Sequence, residues 1–216
     1  MLALDTATPA VTVAVHDGTR VLAREAEVTA RRHGELLASM IGRVLAAANA
    51  VQTDLQAVAV GTGPGPYTGL RAGLVTARVL ASALGVPLVG VCSLDVIARE
   101  AAAAAAGREF VVATDARRKE VYWARYEPAG RRVAGPAVAY PAEVLDPAGA
   151  PVAGEGAALY AELGACPISP RYPDAARLAE IAAERLAESA LLEPAEPLYL
   201  RRPDAREPGK PKRVTP

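Results

Sequence analysis

The stretch Gly61-Thr62-Gly63-Pro64-Gly65-Pro66-Tyr67-Thr68-Gly69-Leu70-Arg71 is where this sequence offers most to chemistry. A glycine-rich turn that enters a helix presents backbone N–H groups to an anion. Pro64 and Pro66 have no N–H, however, and no Lys follows the last glycine. The turn therefore reads first as a rigid, shaped surface and second as a phosphate cradle, with Thr68 placed to cap the helix. The histidines offer less. His16 and His33 stand apart from each other, with no HxxxH or HExxH spacing, so a histidine-held metal is not expected. His16 precedes a hairpin turn and is expected to be solvated; His33 opens a helix, as a plain start residue or as a recognition residue. No Ser lies in G-x-S-x-G, and Cys92 ends an apolar run with no His nearby in sequence, which marks a structural thiol.

Two acids stand out by where they fall. Leu2 to Asp5 and Phe110 to Asp115 are apolar strands that each end in Asp. Each is followed by an alternating strand, Val11 to Val15 or Val121 to Tyr126. Each then turns, at Asp17-Gly18 or Pro128-Ala129-Gly130, into a third strand. The repeat, offset by about 110 residues, is the trace of a duplicated α/β fold. Two lobes related by a pseudo-twofold would direct Asp5 and Asp115 into one cleft. The plainer alternative is that Asp beside Thr at a strand end satisfies its own turn. The lobes divide near Gly107, giving 1–107 and 108–202. Residues 203–216, with Arg206, Lys210, Lys212 and Arg213 among prolines, read as a disordered basic tail.

The elements that must position the glycine turn are themselves informative. A helix over about His33 to Ala48 carries Leu36, Leu37, Met40, Ile41, Val44 and Leu45, an apolar arc wider than one core contact requires. The next helix, Leu70 to Leu84, is polar only at Arg71, Thr76, Arg78 and Ser82. A helix apolar on most sides is covered on most sides. One cover is the chain's own sheet; the other is either a second molecule or the interior of the lobe. The residues expected at a partner interface are His33, Leu37, Met40, Ile41, Val44, Tyr67, Leu70, Arg71, Leu74, Val75 and Arg78.

The 216 residues carry 24 cations and 24 anions, so no global field draws the chain to nucleic acid. Contact would run through local clusters, Arg31-Arg32, Arg117-Arg118-Lys119 or the tail, although such clusters are more often simply solvated. No aromatic-plus-Arg stacking platform is visible. Two separated cysteines suit a reducing cytoplasm, and neither a signal peptide nor a membrane span is expected.

At this point the sequence resembles a known family. Leu4-Asp5-Thr6-Ala7-Thr8, Arg32-His33-Gly34-Glu35, Gly63 to Gly73, Gly85 to Val91, Asp115 to Tyr122 and Pro197-Leu198-Tyr199-Leu200-Arg201 match, in order, the bacterial TsaB family, also called YeaZ. Pro66-Tyr67 departs from it, where Ser-Phe is more usual. The resemblance implies the two-lobed, ribonuclease H-like fold of actin, sugar kinases and Hsp70 (the ASKHA class). It implies a non-catalytic dimerisation subunit of the machinery that places threonylcarbamoyl on N6 of adenosine 37 in tRNAs reading codons that begin with A. The implied partners are the catalytic paralogue TsaD, a TsaE-like ATPase, a second copy of the chain in isolation, and tRNA through the complex. In that fold an acid at the end of each first strand faces metal and phosphates, so Asp5, Thr6, Thr8 and Asp115 become candidates for a vestigial nucleotide cleft. The chain by itself is expected to carry no cofactor, with ATP or ADP reserved for the complex. The adenosine-holding turn of active members would fall on Gly154-Glu155-Gly156, whose central acid repels a phosphate. Competing readings are an ATP-dependent phosphotransferase and, following an older label, a glycoprotease.

Overall fold

The computed structural model describes residues 1–29, 33–144, 149–163, 166–188 and 193–201, with only the backbone of His33. The basic tail and Arg31-Arg32 lie outside the described residues. The first sheet is built from β1 (Leu2–Asp5), β2 (Ala10–His16), β3 (Val21–Val28), β4 (Val58–Gly61) and β5 (Leu88–Val91), in the order β3-β2-β1-β4-β5. The second uses β6 (Phe110–Asp115), β7 (Val121–Tyr126), β8 (Arg132–Ala139), β9 (Val152–Ala153) and β10 (Pro167–Ile168), in the order β10-β9-β6-β7-β8. In each sheet the first three strands form an antiparallel meander, and the last two run parallel to the first. The repeat read in the sequence is therefore a repeat of topology, and the fold is the duplicated actin-like one.

Period-two alternation decides what covers each face. Leu2, Leu4, Val11, Val13, Val58 and Val60 point outward from the first sheet. There they meet α1 (His33–Ala47) and α2 (Tyr67–Leu84). Ala3, Ala14 and Ala59 alternate with them on the inner face, and these small side chains let α6 (Ala175–Ala187) approach closely. The inner face of the second sheet, Phe110, Val112 and Ala124, is covered by α3 (Ser93–Ala104). Among the described residues, its outer face carries α4 (Pro141–Val144), α5 (Gly156–Leu159) and a short turn at Leu163. The two inner helices therefore each cover the sheet of the opposite half-chain. A boundary at residue 107 separates the sheets but not the cores. Asp95 on α3 ties this arrangement to the second sheet, accepting from the Tyr126 hydroxyl at 2.8 Å with Arg132 at 3.3 Å.

Two expectations change. The helix α2 starts at Tyr67, so Pro66, not Thr68, is the N-cap, with extended backbone and no side-chain cap bond. Proline's fixed φ suits that entry. His16 is buried at 3 % exposure, because its Nδ1 accepts the Gly18 amide at 3.0 Å and so closes the hairpin it precedes. After α6 the chain from Glu193 returns to the edge of β5. There the Gly90 amide donates to Glu193 O at 3.2 Å and the Leu198 amide to Thr62 O at 2.9 Å. No helix among the described residues is long and apolar enough to cross a membrane.

Candidate functional site

Asp5 ends β1 and is fully buried. Its Oδ1 accepts the Ala7 amide at 2.7 Å, and its Oδ2 accepts the Ser93 hydroxyl at 2.6 Å. That hydroxyl in turn accepts the Gly63 amide at 3.1 Å, which fixes the glycine turn to the end of β1. Burial lifts the Asp5 carboxyl from its ordinary 3.8 to about 6, although the Ser93 and Ala7 bonds pull the other way. The space beside it is closed by design of the backbone: a Cβ on Gly61 would sit 1.9 Å from Asp5 Oδ2. Thr6 is equally committed. Its hydroxyl donates to Gly69 O at 2.8 Å and accepts from the Gly73 amide at 3.1 Å, bridging a pair that an α-helix ordinarily joins directly. Thr8 accepts the Ala10 amide at 3.3 Å.

The second acid is placed differently. Asp115 ends β6 half-buried, and its Oδ1 accepts the Arg117 amide at 2.8 Å and the Tyr160 hydroxyl at 2.9 Å. Arg117 Nη1 lies 3.4 Å from Oδ2. Burial, and then that bond, push the Tyr160 phenol up to about 12. Glu155 faces the same space and accepts from the Tyr172 hydroxyl at 3.1 Å. Its flanking Gly154 has φ +95, and a Cβ there would stand 2.2 Å from Ala113 O. The Gly154-Glu155-Gly156 turn is thus pressed onto β6.

Of the four cleft residues read from sequence, Thr8 and Asp115 meet in one cavity, with Pro66, Arg117 and Glu155, while Asp5 and Thr6 do not reach it. The cavity measures about 10 Å³, room for roughly one water. Asp5 lies in the core and Thr6 bridges the first turns of α2, so neither borders that cavity. Among the described residues, no three His, Cys, Asp or Glu side chains gather as a metal cluster.

The interface expectation divides in the same way. Leu37, Met40, Ile41, Val44 and Leu70 belong to the chain's own core, because the wide apolar arc of α1 packs on both the sheet and α2. The exposed side of α1 carries one stripe of small residues, Gly34, Ala38, Gly42 and Ala46, beside Glu35, Ser39, Arg43 and Ala47. On α2 the outward stripe is Arg71, Val75 and Val79, with the valines 61 % and 62 % exposed and Arg78 beside them. Val79, Tyr199 and Pro197 are members that sequence reading missed. Only their helical spacing or the terminal motif could have flagged them. Arg71 lies over the Tyr67 and Tyr199 rings at 5.2 and 5.5 Å and donates to the Tyr199 hydroxyl at 2.8 Å. Arg71, Leu74, Val75, Arg78, Pro197 and Tyr199 enclose a largely apolar hollow of about 180 Å³. Of His33, named for this face, the side chain lies outside the described residues.

The family model described as TsaD, tRNA N6-adenosine threonylcarbamoyltransferase, matches residues 25–171. The structure of YeaZ from Pseudomonas aeruginosa superposes with a TM-score of 0.78 at 33 % identity, covering 92 % of this chain and 98 % of that one. The chain belongs to the TsaB (YeaZ) family. A second Pseudomonas aeruginosa structure, described as an uncharacterised protein with similarity to peptidase YeaZ, gives a TM-score of 0.81 at 32 % identity over 93 % of this chain and 98 % of that one. The TsaB protein of Escherichia coli, named for tRNA threonylcarbamoyladenosine biosynthesis, is 38 % identical over 59 % of this chain and 54 % of its own length. An uncharacterised protein of Mycobacterium tuberculosis is 47 % identical over 95 % of this chain and 93 % of its own.

Proposed function

We propose that this TsaB-family chain is a non-catalytic scaffold in the biosynthesis of threonylcarbamoyladenosine in tRNA. It docks a TsaD-like catalytic relative through the outward stripe of α2 and the small-residue side of α1, and in the relative's absence pairs with a second copy of itself. The assembled complex, with a TsaE-like ATPase, carries threonylcarbamoyl to N6 of adenosine 37. The observation that carries this reading is the sealing of Asp5. A phosphotransferase of this fold needs that acid at a solvent-filled cleft, and here Ser93 and Gly61 enclose it. Among the exposed apolar side chains, two valines one turn apart, flanked by arginines on a helix with no acidic residue, support docking there. Small exposed residues on α1 would let a partner helix come close, and docking would act by holding the partner's lobes in one orientation, a shift of population.

Reconstitution tests the reading. With purified relative, ATPase, tRNA and the activated threonylcarbamoyl intermediate, product should form only when this chain is added. Turnover of ATP by the chain alone, lost in Asp5→Asn, would establish the phosphotransferase instead.

A further inference from the structure

We propose that Arg117-Arg118-Lys119, the tip of the β6–β7 hairpin, holds the phosphodiester backbone of an RNA at the rim of the α2 docking face; the inference rests on the scaffold reading above. These three consecutive residues have φ of 63, 56 and 64°. Side chains with a Cβ crowd the following carbonyl in that left-handed region, which glycine and asparagine tolerate far better. A tip selected for stability alone would carry those types. This one carries three long cations, all exposed.

The strained turn is held from several sides. The Ala116 amide donates to Glu120 O at 2.9 Å, the Glu120 amide to Arg117 O at 3.0 Å, and the Arg117 amide to Asp115 Oδ1. Arg201 donates to Ala116 O at 3.0 Å and pairs with Glu120, while its own carbonyl accepts the Tyr67 hydroxyl at 2.6 Å. The strap from Glu193 to Arg201 thus bolts the tip to the first turn of α2. Strain maintained by such over-determination is a mark of function. Arg117 leans toward Asp115, and Arg118 and Lys119 are exposed next to it.

The ligand class follows from the tip's composition. Fixed cations without aromatic neighbours on the tip suit phosphates and read no base. A protein interface would want an apolar centre, and residues 117–119 supply none. With zero net charge on the chain, an RNA would be drawn by local clusters such as this one and not by a global field.

The test uses the assembled complex of this chain with its catalytic relative, and a tRNA transcript as probe. The double variant Arg118→Asn, Lys119→Gly removes two cations and inserts types suited to positive φ, so its melting temperature should equal or exceed the wild type's. Expected is a fall in RNA affinity of roughly tenfold at low salt. The plot of log affinity against log salt should become shallower by about 1.5, from 0.7–0.9 per lost phosphate contact, with unchanged affinity for the relative. Unchanged RNA affinity and slope in an intact complex would overturn the proposal. So would a loss of affinity for the relative with the RNA slope unaltered, since the cations would then contact protein. If the wild-type chain and its relative do not associate at all, a mass measurement shows it, and the scaffold reading falls first.

Discussion

The first lobe roofs its outer sheet face with helices of 15 and 18 residues, whereas the same positions in the second lobe hold four described helical residues each. The sheets share one strand order and one pattern of directions. The second lobe closes its outer core with Val111, Ala113, Val121, Val144, Val152 and Leu163 beneath those short turns. The longer helices of the first lobe bury one side on their sheet and leave an outward stripe on α2. The strand-end acids differ in the same sense. Asp5 and Asp115 each accept the amide two residues on, so both do the turn chemistry that an Asp at a strand end can do. Beyond that, the first lobe has its acid in the core, holding the glycine turn through Ser93, while the second keeps its acid at the small cavity beside a basic hairpin. One lobe thus seals its strand-end acid and leaves an exposed stripe on α2, and the other keeps its acid beside exposed cations.

The comparison can be broken most directly through stability. Leu70→Ala on α2 should cost about 2–5 kcal/mol by chemical denaturation, because the helix cannot collapse into the space it leaves. Leu163→Ala, the same truncation under the short roof of the second lobe, should fall near the low end, about 2 kcal/mol. Equal costs would mean that the lobes are roofed equally firmly.

The acids give the next effect. Below pH 3.8 Asp5 is neutral in both folded and unfolded chains. As pH rises from there through about 6, the unfolded chain releases the proton before the folded one does, so stability falls, then levels off. The loss is on the order of 3 kcal/mol from a shift of about two pH units. Asp5→Asn removes it, so the variant should gain on the wild type between about pH 4 and 7 in paired melting curves. A constant difference across that range would place Asp5 in water, not in the core.

Smaller effects sharpen the contrast in surfaces. Val75→Glu should keep the fold, since the side chain is exposed, yet weaken pairing by about 2 kcal/mol or more, some thirtyfold, as expected for a central contact. Leu159→Glu, exposed on the second lobe's α5, should leave pairing within about twofold. Asp115→Asn should cost about 1 kcal/mol or less, because Asn still accepts the Arg117 amide and the Tyr160 hydroxyl.

Much of this was legible beforehand. The strand-end acids, the hairpin turns and the apolar alternation carried the duplicated topology, because a strand's period and a turn's glycine are local properties. Where each acid points was not legible. Whether Asp5 meets water depends on Ser93, distant in sequence, and on the missing Cβ of Gly61. The apolar arcs of α1 and α2 were visible too, but their division between sheet, neighbour and surface is set by which ridge faces which strand. Leu37 and Met40 look no different from Val75 in a helical pattern. β10 begins at a proline and is only two residues long, and the strap after α6 makes its bonds without any periodicity, so both escaped. Arg117-Arg118-Lys119 read as a solvated cluster because left-handed backbone in non-glycine residues leaves no mark in composition.

The most direct measurement is the mass of the particle in solution, by light scattering, for wild type and Val75→Glu, each alone and mixed with the TsaD-like relative. The account predicts twice the 22.3 kDa chain mass for the wild type alone, a mixed complex when the relative is present, and a folded single chain that joins neither for the variant. A wild-type chain that stays single at every concentration and ignores the relative would contradict it.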